Sequence, residues 1–325
     1  MTSTQRPSSG RLPDFFIVGA PKCGTTSMYA YLGQHPGIFM SFHKEPLFFG
    51  ADLTHRYGRM ASAEYLALFR DARDDQLVGE ASAWYLYSRH AAQEILEAAP
   101  DARIVVMLRN PIDVMYAQHA QLLFSRQENI VDFGEALAAE PGRIEGRDLP
   151  PGSFRRENLY YRRMVRFAEQ LDRYFTTFGR GRVHVILYDD FRDDTAAEYR
   201  RLLEFLGVDP DAKVVFTPRN QSKRSRFAWL QRLIWDPPFK RHLVPILRRF
   251  PVAHRARGTL LRANSVNAPR AELDPALRAE LARELAPGVA RLGSLLQRDL
   301  SHWTAEPRPP TASPRHTSSD ILRGS

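Results

Sequence analysis

The chain has 325 residues, 43% of them hydrophobic, with 46 Lys and Arg against 37 Asp and Glu, a net charge of +9. This length and composition predict one large globular domain with a sizeable core. The single cysteine excludes an internal disulfide framework, and no apolar run approaches the ~20 residues needed to cross a bilayer. The polar N-terminus also lacks a signal-peptide core, so we expect a cytoplasmic protein.

The excess of positive charge predicts an anionic ligand without identifying it. A basic surface suits polyanions, anionic lipids or a small, highly charged donor molecule. Arginines greatly outnumber lysines among the cationic residues. This fits bidentate binding of phosphate or sulfate, although genomic composition explains it equally well. We expect no nucleic-acid partner and no integral membrane segment, whereas peripheral membrane contact and the oligomeric state stay open.

Strand and helix patterns alternate along the chain. The predicted strands are 15–19, 102–108 and 183–188, and the predicted helices are 25–34, a short one around 65–69, 89–98, 112–125, 159–178, 195–206 and 274–300. Short apolar runs joined by helices are typical of a parallel sheet covered on both faces. We therefore predict an α/β fold, a P-loop-like three-layer sandwich with a central parallel sheet flanked by helices.

The flanking composition indicates one folded domain between two tails. Residues 1–13 and 305–325 are rich in Pro, Ser, Thr and Arg, which predicts flexible tails around a single domain at 14–304. Residues 219–262 break the alternating pattern because they are basic, interrupted by proline and carry two Trp. This segment is either a helix docked on the core or a basic, aromatic lid that contacts an acceptor.

The stretch "FFIVGAPKCGTTSMYAYLGQHP" reads as a buried strand, a loop and a helix. Gly19 and Gly24 keep the spacing of a nucleotide-binding P-loop, but Thr25 occupies the lysine position and Lys22 lies inside the loop. Backbone amides at such a helix N-terminus favour a phosphate oxygen, and an ammonium there can stabilise charge on a leaving group. The alternative is a tight turn that binds no ligand.

The second predicted strand, "IVVML", ends in Arg109. Metal-dependent P-loop enzymes place an aspartate near this position, where it helps to hold Mg²⁺. A cation here predicts that the ligand carries a second anionic group and that no metal takes part, although a surface arginine is the simpler reading. The ten histidines are scattered, which also argues against a zinc site.

Several motifs together resemble the sulfotransferases that use 3′-phosphoadenosine-5′-phosphosulfate (PAPS). They are "APKCGTTSMYAYLGQHP", "KEPLFF", "GEASAWYL", "VVMLRNPIDVMY", "FAEQLDRYFTTFGRGRVHVILYDDF", "LLEFLGVD" and "QRDLSHW", which span most of residues 14–303. The resemblance leans towards the bacterial and carbohydrate (heparan-type) branch. It implies that Arg109 binds the 3′-phosphate and that the 5′-phosphosulfate is bound by Lys22, Cys23, Gly24, Thr25, Thr26 and Ser27.

The resemblance also assigns a general base. Glu45, within Lys44-Glu45-Pro46, matches the family glutamate that removes a proton from the acceptor. The competing explanation is a surface ion pair between Glu45 and Lys44. His43 is a second candidate for the base and Glu80 a third.

Two departures from the family pattern bear on the ligands. Ala117 stands where the family usually has a serine for the 3′-phosphate, so Lys223 or Arg224 becomes a candidate replacement. Leu47 and Gly50 replace the usual histidine and aspartate of the KEP motif. We therefore expect heparan itself to be a poor acceptor and a small molecule, glycan or glycolipid to fit better.

Two other functions remain open at this stage. A P-loop kinase with an unusual lysine requires Mg²⁺-dependent ATP binding, whereas a non-catalytic relative binds nucleotide or glycan without turnover. Cys23 lies at a helix entrance, where a thiol pKa can be lowered, but no partner histidine marks it as a nucleophile.

Overall fold

The computed structural model describes residues 11–54, 58–217, 223–225, 265–267 and 271–305. A central sheet contains five parallel strands: β1 Phe15–Gly19, β2 Ile38–Met40, β3 Leu77–Ala81, β4 Arg103–Leu108 and β5 Val183–Leu187. Their order across the sheet is β2-β3-β1-β4-β5. The predicted α/β class with a central parallel sheet is confirmed.

Helices flank the sheet in the described parts of the chain. They are α1 Thr25–Leu32, α2 Ser62–Ala67, α3 Ala91–Ala98, α4 Pro111–Phe124, α5 Phe133–Ala138, α6 Glu140–Ile144, α7 Tyr161–Met164, α8 Phe167–Phe178, α9 Tyr188–Asp193, α10 Thr195–Leu206 and α11 Pro275–Leu296. A separate antiparallel pair joins β6 Lys223–Ser225 to β7 Ser265–Asn267. Among the described residues, no helix combines the length and apolar character needed to span a bilayer.

The sequence patterns located three strands of the sheet and missed two. Strand β3 contains Gly79 and Glu80, residue types that are depleted in strands. Glycine is needed there because a Cβ on Gly79 would lie 2.3 Å from the Phe15 ring of the neighbouring strand. Strand β2 has only three residues, too few to show a period. Both strands are therefore fixed by pairing across the sheet rather than by local pattern.

The long helix predicted over residues 159–178 is interrupted. It consists of a 3₁₀ turn at Arg156–Leu159 followed by α7 and α8. The Gln170 side chain donates to the carbonyls of Arg163 and Met164, and the Glu140 carboxylate accepts from two amides at the start of α7. These tertiary hydrogen bonds satisfy backbone amides and carbonyls at the interruption of the helix. The spacing of apolar residues in the sequence gives no indication of this interruption.

The sheet brings several loops to one edge. Strands β1 and β4 are buried on both faces, with only Arg103 partly exposed at the start of β4. In a parallel sheet the carboxyl ends of all strands lie on the same side, where open α/β sheets bind their ligands. The segments that follow β1, β2, β3, β4 and β5 therefore converge, and they carry the predicted loop, the KEP motif and Arg109.

The C-terminal part of the chain is fastened to this same edge. The Asn110 amide donates to the Trp303 carbonyl at 2.8 Å, and the Trp303 indole donates to Asp189 at 2.6 Å. Asn110 follows β4 and Asp189 follows β5, so residues 301–303 tie two strand ends together. Helix α11 packs on α8 and α4.

A buried ion pair stabilises the chain behind α4. Glu128 and Arg143 form two hydrogen bonds of 2.6 and 2.7 Å, and both side chains are 0% exposed. The Tyr161 hydroxyl donates to the same carboxylate at 2.8 Å. The carboxylate also accepts from the Asn129 and Ile130 amides, but Arg143 is its buried counter-charge, so removing one partner leaves the other charge buried and uncompensated.

We expect the Glu128→Gln substitution to lower the free energy of unfolding by about 3–5 kcal/mol, measured by urea denaturation. The control is Glu145→Gln, which removes an exposed ion pair with Arg147 and should change stability by less than ~1 kcal/mol. Equal effects of the two substitutions would show that the buried pair contributes no more than a surface pair.

Candidate active site

The loop after β1 is shaped for close approach of an anion. Gly24 has a left-handed φ of 95° and precedes α1, and a Cβ there would lie within 3.4 Å of Tyr188 and Phe191. Lys22 is also left-handed, with a φ of 66°. Among the described residues no side chain caps α1, and the Ser27 and Met28 amides donate to the Gly24 carbonyl, so the amides of Thr25 and Thr26 are the ones left for a ligand.

One cavity of about 1290 Å³ gathers most of the predicted residues. The cavity is lined by the predicted residues Lys22, Gly24, Thr25, Thr26, Ser27, Glu45 and Arg109, and also by Lys44 and Ala117. The loop, the KEP motif and the end of β4 thus meet at one place. Within the described ranges, no group of three or more His, Cys, Asp or Glu side chains is arranged to hold a metal ion.

Arg109 faces the loop rather than bulk solvent. Its guanidinium carbon lies 4.7 Å from the centre of the Tyr188 ring, in cation–π geometry, and its side chain is 24% exposed. The same tyrosine ring lies against Gly24. Tyr188 therefore joins the two predicted anion-binding elements, which line the same cavity. Arg109 is thus partly buried at the cavity wall, and its role as an anion-binding residue stays a prediction.

Cys23 differs from its neighbours in the loop. Its side chain is fully buried, does not line the cavity and contacts the Pro21 carbonyl at 3.5 Å. Burial raises the pKa of the thiol to about 12, although Arg109 and Lys22 act in the opposite direction. The expectation of a lowered pKa is wrong because desolvation outweighs the nearby cations. No part of the chemistry can be assigned to this thiol.

Glu45 is held in a defined position at the cavity wall. One carboxylate oxygen accepts from the Lys44 ammonium at 2.6 Å, and the other accepts from the Ala83 amide at 3.1 Å. The Glu45 side chain is 33% exposed, so the carboxylate remains accessible. The Lys44–Glu45 pair exists as the alternative reading expected, but both residues line the cavity. His43 is exposed and is not part of the cavity lining.

Strand β3 and the segment after it hold the KEP loop in place. Glu45 and Leu47 have left-handed φ values of 65° and 54°, and their amides donate to the Ala81 carbonyl and the Ser82 hydroxyl. Gly50 has a φ of 86°, and a Cβ there would lie 2.8 Å from Leu53. The departure from aspartate at this position therefore has a local cause, since a side chain would be strained.

Lys223 and Arg224 were predicted to replace the serine that is missing at position 117, and only their backbone belongs to the described part of the chain. Lys223 and Arg224 form part of β6, whose backbone lies next to α4, but their side chains fall outside the described residues. The rest of the 219–262 segment is likewise outside the described residues. Its two readings therefore stay predictions.

Sequence reasoning missed other cavity residues. Tyr188 and Arg192 lie on α9, directly after β5, and Trp84 follows β3. Gln121 of α4 contacts the Lys22 ammonium at 3.4 Å. The sequence could have indicated Tyr188, Arg192 and Trp84 by their positions, because each follows a strand that ends at the ligand-binding edge of the sheet.

Glu80, the third candidate base, is buried away from the cavity. One of its oxygens accepts from the Tyr65 and Tyr85 hydroxyls at 3.0 and 2.9 Å, and the other has no hydrogen-bond partner in the described part of the chain. Burial raises its pKa to about 7, although the nearby Ser82 hydroxyl and the two tyrosine hydroxyls act to lower it; the Glu45 charge raises it further. A carboxyl with no access to the cavity cannot reach an acceptor.

The raised pKa predicts a pH-dependent stability. Between its ordinary value of 4.5 and about 7, the folded state holds a proton on Glu80 that the unfolded state releases. Its stability contribution is therefore complete below about pH 4.5 and is lost as the pH rises to 7, by roughly 3 kcal/mol. The measurement is the free energy of unfolding in urea at pH 5 and at pH 8. We expect the parent protein to lose stability between these two pH values and the Glu80→Gln variant not to show this loss. Glu97→Gln, at an exposed position of α3, is the control and should show the same change in the free energy of unfolding between pH 5 and pH 8 as the parent protein.

Comparisons with known proteins agree with this geometry. A family model described as a sulfotransferase domain matches residues 12–228. A crystal structure of a sulfotransferase from Alicyclobacillus acidocaldarius is 32% identical, with a TM-score of 0.68, and the match covers 91% of this chain and all of that one.

Two curated human relatives are also similar to part of this chain. The bifunctional heparan sulfate N-deacetylase/N-sulfotransferase 3 is 28% identical over 214 residues, and the heparan sulfate glucosamine 3-O-sulfotransferase 6 is 29% identical over 202 residues. Each match covers 62% of this chain, but only 23% of the first relative and 54% of the second.

Proposed function

Since this chain belongs to the sulfotransferase domain family, we propose that it transfers a sulfuryl group from PAPS to a hydroxyl or amine. The acceptor we propose is a small molecule, a glycan or a glycolipid. The observation that supports the proposal best is the single cavity shared by the β1 loop, Glu45 and Arg109. The cytoplasmic location stays a prediction.

The residues present suit a donor with two separated anionic groups. PAPS, when bound, supplies an activated sulfuryl group at its 5′ end and a phosphate at its 3′ end. The first-turn amides of α1 and the hydroxyls of Thr25 and Thr26 would bind the 5′ end. Gly24 lets the backbone approach because it has no Cβ, and Arg109 on the Tyr188 ring would bind the 3′-phosphate.

Glu45 and Lys22 would have separate tasks in the reaction, one in proton transfer and the other in stabilising negative charge. Glu45 accepts the proton of the attacking group as the acceptor oxygen or nitrogen forms its bond to sulfur. Lys22 stabilises the negative charge that develops on the 5′-phosphate oxygen when the old sulfur–oxygen bond breaks. Lys44 and the Ala83 amide keep the Glu45 carboxylate oriented towards the cavity.

We expect adenosine 3′,5′-bisphosphate to bind without Mg²⁺ in a calorimetric titration, and Arg109→Ala to weaken that binding by roughly 10-fold to 100-fold. Arg166→Ala removes an arginine that is equally charged but exposed outside the cavity, and should leave the affinity unchanged. Absence of nucleotide binding in the parent protein would reject the proposal. Binding of ATP only with Mg²⁺ would instead support the kinase.

We expect Glu45→Gln to lower the rate of ³⁵S transfer from labelled PAPS into acceptors of a cell extract by roughly 10²–10⁴-fold, because the general base is lost. Affinity for adenosine 3′,5′-bisphosphate should stay within about twofold of the parent value, since the donor contacts are unchanged. Glu64→Gln, at an exposed position on α2, should transfer at the parent rate. A parent protein that binds the nucleotide but labels no acceptor fraction would favour the non-catalytic relative.

A further inference from the structure

The C-terminal helix reaches the donor end of the cavity, although it lies beyond the residues matched by the family model. Arg278 on α11 places a guanidinium nitrogen 2.7 Å from one oxygen of Asp113. Arg109 places a guanidinium nitrogen 3.5 Å from the other oxygen of the same carboxylate. One carboxylate therefore lies between two arginines that are 165 and 4 residues away in the sequence.

The two distances show which arginine holds the carboxylate. A contact of 2.7 Å is a full charge-assisted hydrogen bond, whereas 3.5 Å is at the limit of such an interaction. Asp113 is thus committed mainly to Arg278, and Arg109 is only weakly engaged. This matters because Asp113 lies one helical turn after Arg109, where it would otherwise compete with an anionic ligand for the same guanidinium.

The start of α11 is fixed beside the cavity by independent contacts. The Asp274 carboxylate caps the helix by accepting from the Leu277 amide at 3.0 Å. Leu273, Asp274 and Leu277 all line the cavity. Arg278 is the next residue; it does not line the cavity itself, but its own helix holds it directly behind the lining residue Leu277, independently of the ion pair.

We propose that Arg278 is a positioning residue of the donor site. By holding Asp113 it keeps the Arg109 guanidinium available to the 3′-phosphate and offsets a negative charge that would repel that group. Arg278 thereby selects a donor that carries a 3′-phosphate, at a site where Ala117 supplies no hydroxyl. This inference rests on the proposed function.

The test compares two nucleotides that differ only in the 3′-phosphate. In titration calorimetry, Arg278→Gln should weaken binding of adenosine 3′,5′-bisphosphate by about 10-fold and change binding of adenosine 5′-monophosphate by less than about twofold. Arg278→Lys, which keeps the charge, should retain most of the parent affinity. Arg283→Gln removes an exposed arginine of the same helix and should affect neither nucleotide.

A second substitution separates electrostatic positioning from a structural role. Adding Asp113→Asn to Arg278→Gln removes the repelling carboxylate, so binding of adenosine 3′,5′-bisphosphate should return to within about threefold of the parent value. Equal weakening of both nucleotides, or no recovery in the double variant, would overturn the inference. If the parent protein prefers adenosine 3′,5′-bisphosphate and Arg278→Gln leaves that preference unchanged, the inference fails alone, whereas binding of neither nucleotide by the parent removes the proposed function as well.

Discussion

The packing of the Arg109 guanidinium on the Tyr188 ring, 4.7 Å away, links the two halves of the cavity. Tyr188 starts the segment after β5, Arg109 follows β4, and the same ring lies against Gly24 of the loop after β1. Three adjacent strand ends are therefore coupled through one aromatic side chain. The contact fixes the position of the Arg109 guanidinium relative to the first turn of α1. That distance limits the size and charge of a ligand that could contact both groups.

The ionisable side chains near the cavity differ in burial: some are enclosed in the core and others are accessible at the cavity wall. Cys23 and Glu80 are enclosed, and desolvation raises both of their pKa values. Glu45 and Lys44 lie at the cavity wall with 33% and 19% of their side chains exposed, and Glu45 keeps a contact to the Ala83 amide. The KEP loop thus presents an oriented carboxylate, while the buried glutamate behind it satisfies two tyrosine hydroxyls of the core.

The part of the chain beyond the family match is integrated with the site. Residues 301–303 tie the ends of β4 and β5 through Asn110 and Asp189, and α11 brings Arg278 to Asp113. Asp113 therefore belongs to two networks, one local on α4 and one that depends on the C-terminal helix. The stronger partner of Asp113, Arg278, lies outside residues 12–228, the range that the family model matches.

Features that depend only on neighbouring residues could be predicted from the amino-acid sequence. The strand–loop–helix unit at residues 15–32, the helix start behind Asn110-Pro111 and the cation after β4 follow from local pattern, proline geometry and strand alternation. The resemblance to a known family added Glu45 as the candidate general base. Tertiary structure alone decided the two strands β2 and β3, the break before α8, the inward direction of Cys23 and the pairing of Arg278 with Asp113. Each of these depends on contacts between residues far apart in the chain, where partner, distance and burial are set by packing and leave no period or motif in the local sequence.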